Sequence, residues 1–292
     1  MTVIEAKRIK DAFYTKSAPT EEDVFLFTEA MDYLIEETKE PRYMLELGGY
    51  YYGIRNFELA LKYYELAAEH KLVDAYDALG YIWYYGRTGN RDYEKAFKYF
   101  SLSKDAGNLQ AAYKVADMYK NGYYVEKDYN KYKEIIEELY PKVVNARFLG
   151  DPLPEIFTRL ARIRLEDDKP EEALDLYLRA KDFQAQRISY NDFFGDLNIM
   201  MWLIDDLYKL IEFNRDDFDF YDMYYLLTSP CEISFRRGNK TCKVTVTAEG
   251  EGIAIGFNGK WYRTREDFFG KAVIGNDKLT AIYDEFYGFE VR

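Results

Sequence analysis

A repeat of 36 residues constrains the fold of this chain more than any other feature of its sequence. Residues 75–107 read as a helix, a turn that contains glycine, and a second helix. The segment from Ala111 follows the same plan, so that Gly86 corresponds to Gly122. Self-similarity at such a period is typical of helical solenoids, in which each helical pair buries its apolar face against its neighbours. The sequence therefore predicts a mainly α-helical fold of stacked helix–turn–helix repeats.

An earlier segment, residues 42–72, has a related spacing with a turn that is four residues shorter. Its small and aromatic residues fall at the spacing of the tetratricopeptide pattern, namely Leu47, Gly48, Tyr51, Ala60, Tyr64 and Ala67. Small residues let two helices cross closely, and the rings fill the space beside the crossing. We therefore expect the first repeat to pack like the second.

The longer turn of the second repeat, followed by D-Y-E-K-A, resembles the Sel1-like variety of the tetratricopeptide family. The family pattern is A-x-x-x-L-G-x-x-Y-x-x-G and then D-x-x-K-A-x-x-Y. It is met by Ala75, Leu79, Gly80, Gly86, Asp92, Lys95, Ala96 and Tyr99, with Trp83 at the aromatic position. In the third repeat, Val115 and Ala116 replace Leu-Gly and Tyr132 replaces the small alanine. The resemblance extends over about residues 42–140 and 155–182, and it implies a right-handed helical-repeat solenoid.

The segments around the repeats suggest further parts. We expect N-terminal capping helices at 2–16 and 21–39, the second capped by the Thr20 side chain. An apolar helix over 191–213 contains charged residues that exclude a membrane span, and an acidic aromatic linker follows at 216–222. The expected boundaries are residues 1–40 for the capping helices, 41–190 for the repeats, 191–229 for the closing helix and linker, and 230–292 for a small C-terminal α+β domain.

After residue 230 the apolar period changes to two, which predicts strands. Gly238-Asn239 and Asn258-Gly259 are typical of two-residue hairpin turns. Beyond these hairpins we expect one helix from Thr264 through Phe269, a second helix over 278–287, and a last strand over 289–291.

Cys231 and Cys242 are the only cysteines. The first hairpin would place Cys231 opposite Val246 and Cys242 opposite Phe235, which leaves the two sulfurs beyond disulfide reach. Free thiols and a charged N-terminal segment without an apolar signal core lead us to expect a cytoplasmic protein.

The net charge of −12 is concentrated in the helical part of the chain. Residues 231–292 carry 10 Lys and Arg against 9 Asp and Glu, so residues 1–230 carry 30 against 43. An acidic body of this kind disfavours binding to nucleic acid or to an anionic membrane through long-range electrostatics. We therefore expect no membrane association, and no nucleic acid on the repeats.

No catalytic or metal-binding pattern stands out. His70 is the sole histidine and reads as a helix C-terminal residue without a neighbouring catalytic motif. One histidine and two separated cysteines do not give the spacing of a zinc site. The carboxylate runs at 166–168 and 216–219 lack the glycine and closing glutamate of a calcium loop. The sequence therefore predicts a protein that is not an enzyme and that has no cofactor, no catalytic residues and no metal site.

The resemblance implies a binding groove, because the first helix of each tetratricopeptide repeat lines the concave face. Three sets of groove positions follow by alignment: Tyr52, Tyr84 and Lys120; Tyr81, Asp117 and Arg162; Tyr113 and Thr158. Aromatic platforms mixed with charges suit an extended peptide or a partner helix. The function expected is a scaffold or adaptor that binds a polypeptide partner, although these residues could equally form ordinary solvated faces.

A different class of function remains open for the C-terminal domain, which could read a nucleic acid or a small ligand. Seven of its ten basic side chains make it more basic than the helical body, namely Arg236, Arg237, Lys240, Lys243, Lys260, Arg263 and Arg265. Trp261 and Tyr262 are possible stacking platforms beside them. The resemblance also permits a bacterial adaptor role, including defence or toxin neutralisation. The sequence does not specify an oligomeric state.

Overall fold

The structure, a computed structural model, describes residues 1–145, 147–190, 196–250 and 252–292. The chain divides into two compact units, Met1–Ile135 and Ile136–Arg292. The helices of the first unit are α1 (Val3–Tyr14), α2 (Glu21–Thr38), α3 (Pro41–Gly53), α4 (Phe57–Glu69), α5 (Val73–Tyr85), α6 (Tyr93–Asp105) and α7 (Leu109–Asn121). Helix α8 (Tyr129–Val143) begins in the first unit and ends in the second. The predicted succession of helix–turn–helix repeats is confirmed.

The N-terminal helices begin as their sequence predicts. The Thr20 side chain accepts a hydrogen bond from the backbone nitrogen of Asp23 at 3.2 Å, and the Asp23 carboxylate accepts one from the backbone nitrogen of Thr20 at 2.9 Å. This reciprocal pair satisfies two backbone donors that the helix itself leaves free. Buried Phe13 and Phe27 stack with ring centroids 4.1 Å apart, which joins α1 to α2.

Each repeat depends on a glycine or alanine where its two helices cross. A Cβ atom at Gly48 would lie 2.6 Å from a ring carbon of Tyr64, and one at Gly80 would lie 2.5 Å from Phe100. In the third repeat, Ala116 occupies the crossing and is fully buried. The rings of the second helices therefore occupy the space that a larger side chain on the first helices would need.

The turn after α5 requires its glycine for two reasons. Gly86 has a φ of +63°, in the left-handed region that side chains disfavour, and a Cβ there would lie 2.8 Å from the backbone nitrogen of Arg91. The chain then reaches Asp92, whose carboxylate accepts from the backbone nitrogen of Lys95 at 3.0 Å and starts α6. This longer turn places Arg87 directly after α5.

The second unit combines helices with a sheet. Its helices are α9 (Leu153–Glu166), α10 (Pro170–Tyr190), α11 (Asp196–Leu210), α12 (Met223–Leu226) and α13 (Arg265–Lys271). Its strands are β1 (Cys231–Arg237), β2 (Lys240–Glu249), β3 (Gly252–Phe257), β4 (Lys260–Tyr262), β5 (Val273–Ile274), β6 (Asp277–Lys278) and β7 (Phe286–Val291). An antiparallel sheet has the order β4-β3-β2-β1-β7, and β5 pairs with β6. The prediction of a C-terminal region with a small sheet is confirmed.

Both predicted hairpins are present with the expected register. Cys231 pairs with Val246 and Cys242 with Phe235 across the first hairpin, and Phe257 pairs with Lys260 across the second. One face of the sheet is apolar and contributes buried Ile233, Phe235, Val244, Val246, Ile255 and Phe257 to the core of the unit. The two cysteines are free, as predicted.

Two predictions about the second unit were wrong. Residues 278–287 do not form a helix: they contain two short 3-10 turns, Leu279–Ala281 and Tyr283–Glu285, before β7 begins. The backbone nitrogen of Leu279 donates to the Ala272 carbonyl, and Phe286 pairs with Arg237, so tertiary hydrogen bonds override the helical pattern.

The segment 216–222 is not a free linker, because its aromatic side chains belong to the core of the unit. Phe218, Phe220 and Tyr221 are all buried against this core. Helix α11 covers most of the predicted 191–213 helix, and residues 191–195 lie outside the described part of the chain.

Replacing Gly80 by leucine is expected to lower the free energy of unfolding by roughly 1–3 kcal/mol, because the branched side chain must displace the Phe100 ring. Urea denaturation measures the change. Gly53→Ala is the matched control, since a Cβ at Gly53 meets nothing within 4 Å. Equal stability of the Gly80→Leu variant and the wild type would contradict the close crossing.

Both thiols are expected to react once each with a thiol reagent in denaturant without reductant, because Cys231 and Cys242 do not pair with each other. In the folded protein the reaction should be slower, since burial raises the pKa of both thiols. Mass spectrometry counts the labels. A protein that takes up no label in denaturant would show that the cysteines are oxidised.

Candidate functional site

A buried lysine lies among four tyrosine rings of the second and third repeats. Lys114 of α7 is 8% exposed. Its Nζ lies 5.2–5.4 Å from the ring centroids of Tyr81, Tyr84, Tyr85 and Tyr113. The attraction of an ammonium group to aromatic faces is strongest where both are shielded from water. We call these five residues the tyrosine cluster.

Helix geometry and hydrogen bonds order the cluster. Tyr81, Tyr84 and Tyr85 lie at positions i, i+3 and i+4 of α5, and therefore on one side of the helix. The Lys114 ammonium donates to the Tyr85 hydroxyl oxygen at 3.1 Å, and the hydroxyls of Tyr81 and Tyr113 lie 3.2 Å apart. Tyr85 is 41% exposed whereas Tyr113 is 6% exposed. The inner part of the cluster is thus buried, and the ring of Tyr85 lies at the surface.

Asp77 lies one helical turn before Tyr81 on α5. Its Oδ1 atom is buried and has no hydrogen-bond partner within the part of the chain that the structure describes. Burial raises the pKa of this carboxyl to about 7, the positive charge of Lys114 partly offsets the rise, and Asp74 adds to it. The carboxyl is therefore partly protonated at neutral pH.

Arg87 extends the cluster to the first repeat. Its guanidinium carbon lies 5.0 Å from the ring centroid of Tyr85, 5.8 Å from that of Tyr52 and 5.6 Å from that of Phe57. Its Nε donates to the Tyr52 hydroxyl at 3.2 Å. No carboxylate of the described residues forms an ion pair with it. Arg87 therefore joins the rings of two successive repeats into one surface.

The structure brings together four of the predicted groove residues: Tyr52, Tyr81, Tyr84 and Tyr113. They are connected through three residues that the sequence analysis did not select, Tyr85, Arg87 and Lys114. Lys114 lies between Tyr113 and Val115 in the alanine-rich run 111–116, and a lysine within so apolar a run is a sign of a buried side chain. The signal for Arg87 is its place in the turn that is longer than its counterpart in the first repeat.

The remaining groove predictions have different surroundings. Burial, followed by the negative charge of Asp117, raises the pKa of Tyr84, which places Asp117 near the cluster. Lys120 Nζ lies 4.9 Å from the Tyr132 ring centroid. Arg162 lies in the second unit, where its Nε and one terminal nitrogen donate to Asp206 at 3.0 and 2.6 Å. Thr158 of the same unit is buried and donates to the Pro154 carbonyl.

The residues predicted for the alternative site have mixed environments. Arg237 forms ion pairs with Asp277 and Glu285. Tyr262 is 8% exposed and contacts Phe268 edge-on, so the prediction that it is a stacking platform was wrong. Arg236 and Lys260 are exposed, and Trp261 is 61% exposed with its ring over Gly256.

Across the described residues, no group of three or more His, Cys, Asp and Glu side chains could hold a metal ion. No helix in the described ranges is long and apolar enough to cross a membrane.

Comparison with known proteins identifies the repeats. A model of the Sel1 repeat matches residues 41–72, 73–108 and 109–131. Residues 41–131 are Sel1 repeats. Helices α9 and α10 lie outside the matched residues. Sel1 repeat proteins generally act as scaffolds for protein interactions and are typically not enzymes.

The structure of a Sel1 repeat protein from Oxalobacter formigenes shares the fold, with a TM-score of 0.50 and 20% sequence identity. The similarity covers 64% of this chain and 72% of that one. A second similar structure is that of c5321, a protective antigen present in uropathogenic Escherichia coli strains that displays an SLR fold. Its TM-score is 0.48 with 17% identity, over 71% of this chain and 46% of that one. A comparison with the curated proteins finds no match.

Replacing Asp77 by asparagine is expected to stabilise the protein increasingly as the pH rises. The folded carboxyl has a pKa of about 7 against an ordinary value of 3.8, so the contribution of Asp77 to wild-type stability falls as the pH rises between these values and is constant above them. At about 1.4 kcal/mol for each pH unit, the variant should gain roughly 2–4 kcal/mol over the wild type at pH 8.

Urea denaturation at pH 4 and pH 8 measures this difference, which should be small at the lower pH. If the difference in free energy of unfolding between variant and wild type does not change with pH, Asp77 has an ordinary pKa in the folded protein.

Proposed function

We propose that the chain is a protein-interaction scaffold, without enzymatic activity, that binds a segment of a partner polypeptide with the first helices of its Sel1 repeats. The proposed contact surface consists of Tyr52, Tyr84, Tyr85 and Arg87, on the outer side of the tyrosine cluster. Asp117 and Lys120 are proposed as flanking contacts. Tyr81 and Tyr113 have a supporting role, because their hydroxyls pair with each other beneath the surface.

The observation that carries this proposal is that exposed aromatic and arginine side chains are held by hydrogen bonds and ring contacts to neighbouring side chains. Tyr85 is held by the Lys114 ammonium and stacks on Tyr81, and Arg87 is held by the Tyr52 hydroxyl. Tyrosine and arginine are enriched among the residues that dominate protein-binding energies. Side chains that are already ordered lose little further entropy when a partner binds.

Charge also favours a polypeptide over a nucleic acid at these repeats. The proposed surface contains one exposed cation, Arg87, within a chain of net charge −12. Nonspecific binding of nucleic acid needs several cations that follow the phosphate backbone.

The test is selection of a random peptide library on the immobilised protein. Peptides enriched on the wild type should bind the Tyr52→Ala, Tyr85→Ala double variant roughly 30- to 1000-fold more weakly, because two aromatic contacts of this kind contribute about 2–4 kcal/mol. Fluorescence anisotropy measures the affinities, and circular dichroism checks that the double variant keeps its helices.

The matched control is Trp261→Ala, which removes an exposed aromatic ring from the second unit. Point variants are preferable to deletion of residues 231–292, which would expose the core that the sheet covers. Loss of peptide binding in the Trp261→Ala variant but not in the double variant would contradict the proposal, as would a library that yields no enriched peptide.

A further inference from the structure

We propose that the surface formed by Tyr52, Tyr85 and Arg87 selects side-chain carboxylates, so that the partner segment is acidic. This inference rests on the proposed function and specifies the chemistry of its partner. We call these three residues the donor surface.

The hydrogen bonds of the donor surface leave it with donors that are not yet used. The Tyr85 hydroxyl oxygen accepts from the Lys114 ammonium, and the Tyr52 hydroxyl oxygen accepts from Arg87 Nε. Each hydroxyl therefore keeps its own hydrogen for another acceptor. The terminal nitrogens of Arg87 donate to no acceptor among the described residues. A ligand that meets these three side chains must supply acceptors.

Charge then distinguishes an anionic acceptor from a neutral one. Lys114 and Arg87 lie on the same ring, with Nζ at 5.3 Å and the guanidinium carbon at 5.0 Å from the Tyr85 centroid. No described carboxylate forms an ion pair with either of them. A hydroxyl that accepts from an ammonium group becomes a stronger donor, because hydrogen bonds in a chain polarise one another. Bonds from such donors to a carboxylate are about twice as strong as bonds between neutral groups.

The surroundings favour a carboxylate on a polypeptide side chain. The rings of Tyr52, Phe57 and Tyr85 border the guanidinium of Arg87, and they offer apolar contact to the methylene groups of a glutamate. A nucleic acid presents a dense row of phosphates that needs several cations along its path, whereas Arg87 is the one cation of the donor surface. We therefore assign the donor surface to glutamate or aspartate within a partner segment.

The test compares two fluorescent peptides with acetylated and amidated ends, one with alternating Glu and Tyr and one with Gln in place of Glu. Fluorescence anisotropy at low and at physiological salt should show that the wild type binds the Glu peptide at least about tenfold more tightly. Arg87→Gln should remove this preference. Tyr85→Phe keeps the ring and loses only the hydroxyl, so it should weaken Glu binding about three- to tenfold and leave Gln binding unchanged.

The matched control is Lys95→Gln, which removes a positive charge that lies 3.9 Å from the Trp83 ring outside the donor surface. It should keep the full preference for the Glu peptide, and thermal unfolding should show all three variants folded. Loss of the preference in this control would mean that net charge, and not the donor surface, causes it.

Other results would overturn the inference. Equal affinities for the Glu and Gln peptides would refute it, while the proposed function would survive if the Tyr52→Ala, Tyr85→Ala variant still lost binding. Tighter binding of a Gln peptide with a free C-terminus would assign the donor surface to a terminal carboxylate. Tighter binding of an oligothymidylate would assign it to nucleic acid, and failure of the wild type to bind any of these probes would also refute it.

Discussion

The helical repeats depend on a contact in which an aromatic ring of one helix packs against the bare backbone of a glycine in the other. In the second repeat this contact joins Phe100 to Gly80, and it fixes the position of α5 along α6. The same ring meets Tyr81 edge-on, with centroids 5.3 Å apart, and lies 6.1 Å from Tyr84. The crossing therefore determines which tyrosines of α5 face α7, and the surface that they form is a result of core packing.

The tyrosine cluster shows how a helical array can shelter a cation without an ion pair. An ammonium group that leaves water needs compensation, and here ring faces and one hydroxyl supply it in place of an ion pair. Asp77 is the buried acid of this region, and desolvation holds part of it in the neutral form. A fully ionised Asp77 would pair electrostatically with Lys114 and weaken its influence on the Tyr85 hydroxyl. Burying Lys114 and Asp77 costs stability. Because Asp77 is partly neutral, the positive charge of Lys114 is kept beneath the exposed ring of Tyr85.

Most of the architecture could be predicted from the sequence, because glycines, caps and hairpin signals act locally. Gly86 predicts a left-handed turn, and Gly238-Asn239 determines which residues of β1 and β2 lie opposite each other. The segment 278–287 was mispredicted since its conformation depends on pairing with distant strands.

The candidate binding surface could be predicted only in part. Repeat spacing aligned the tyrosines of the first helices, but the direction of the Arg87 side chain depends on how the long turn folds. The apolar run around Lys114 indicates that its side chain is buried, but the sequence does not show which four rings surround its ammonium group.

The aromatic residues beneath the sheet have a consequence for how such a protein could have been assembled. Phe218, Phe220 and Tyr221 precede β1 in the chain and form part of the same core as the apolar face of the sheet. The sheet alone therefore lacks a complete interior, and a gene fragment that began at residue 230 would encode strands with one uncovered face. A recombination that joined this sheet to another array of repeats would have to carry the preceding segment with it. The segment that must be transferred as one unit is thus longer than the run of strands that the sequence pattern indicates.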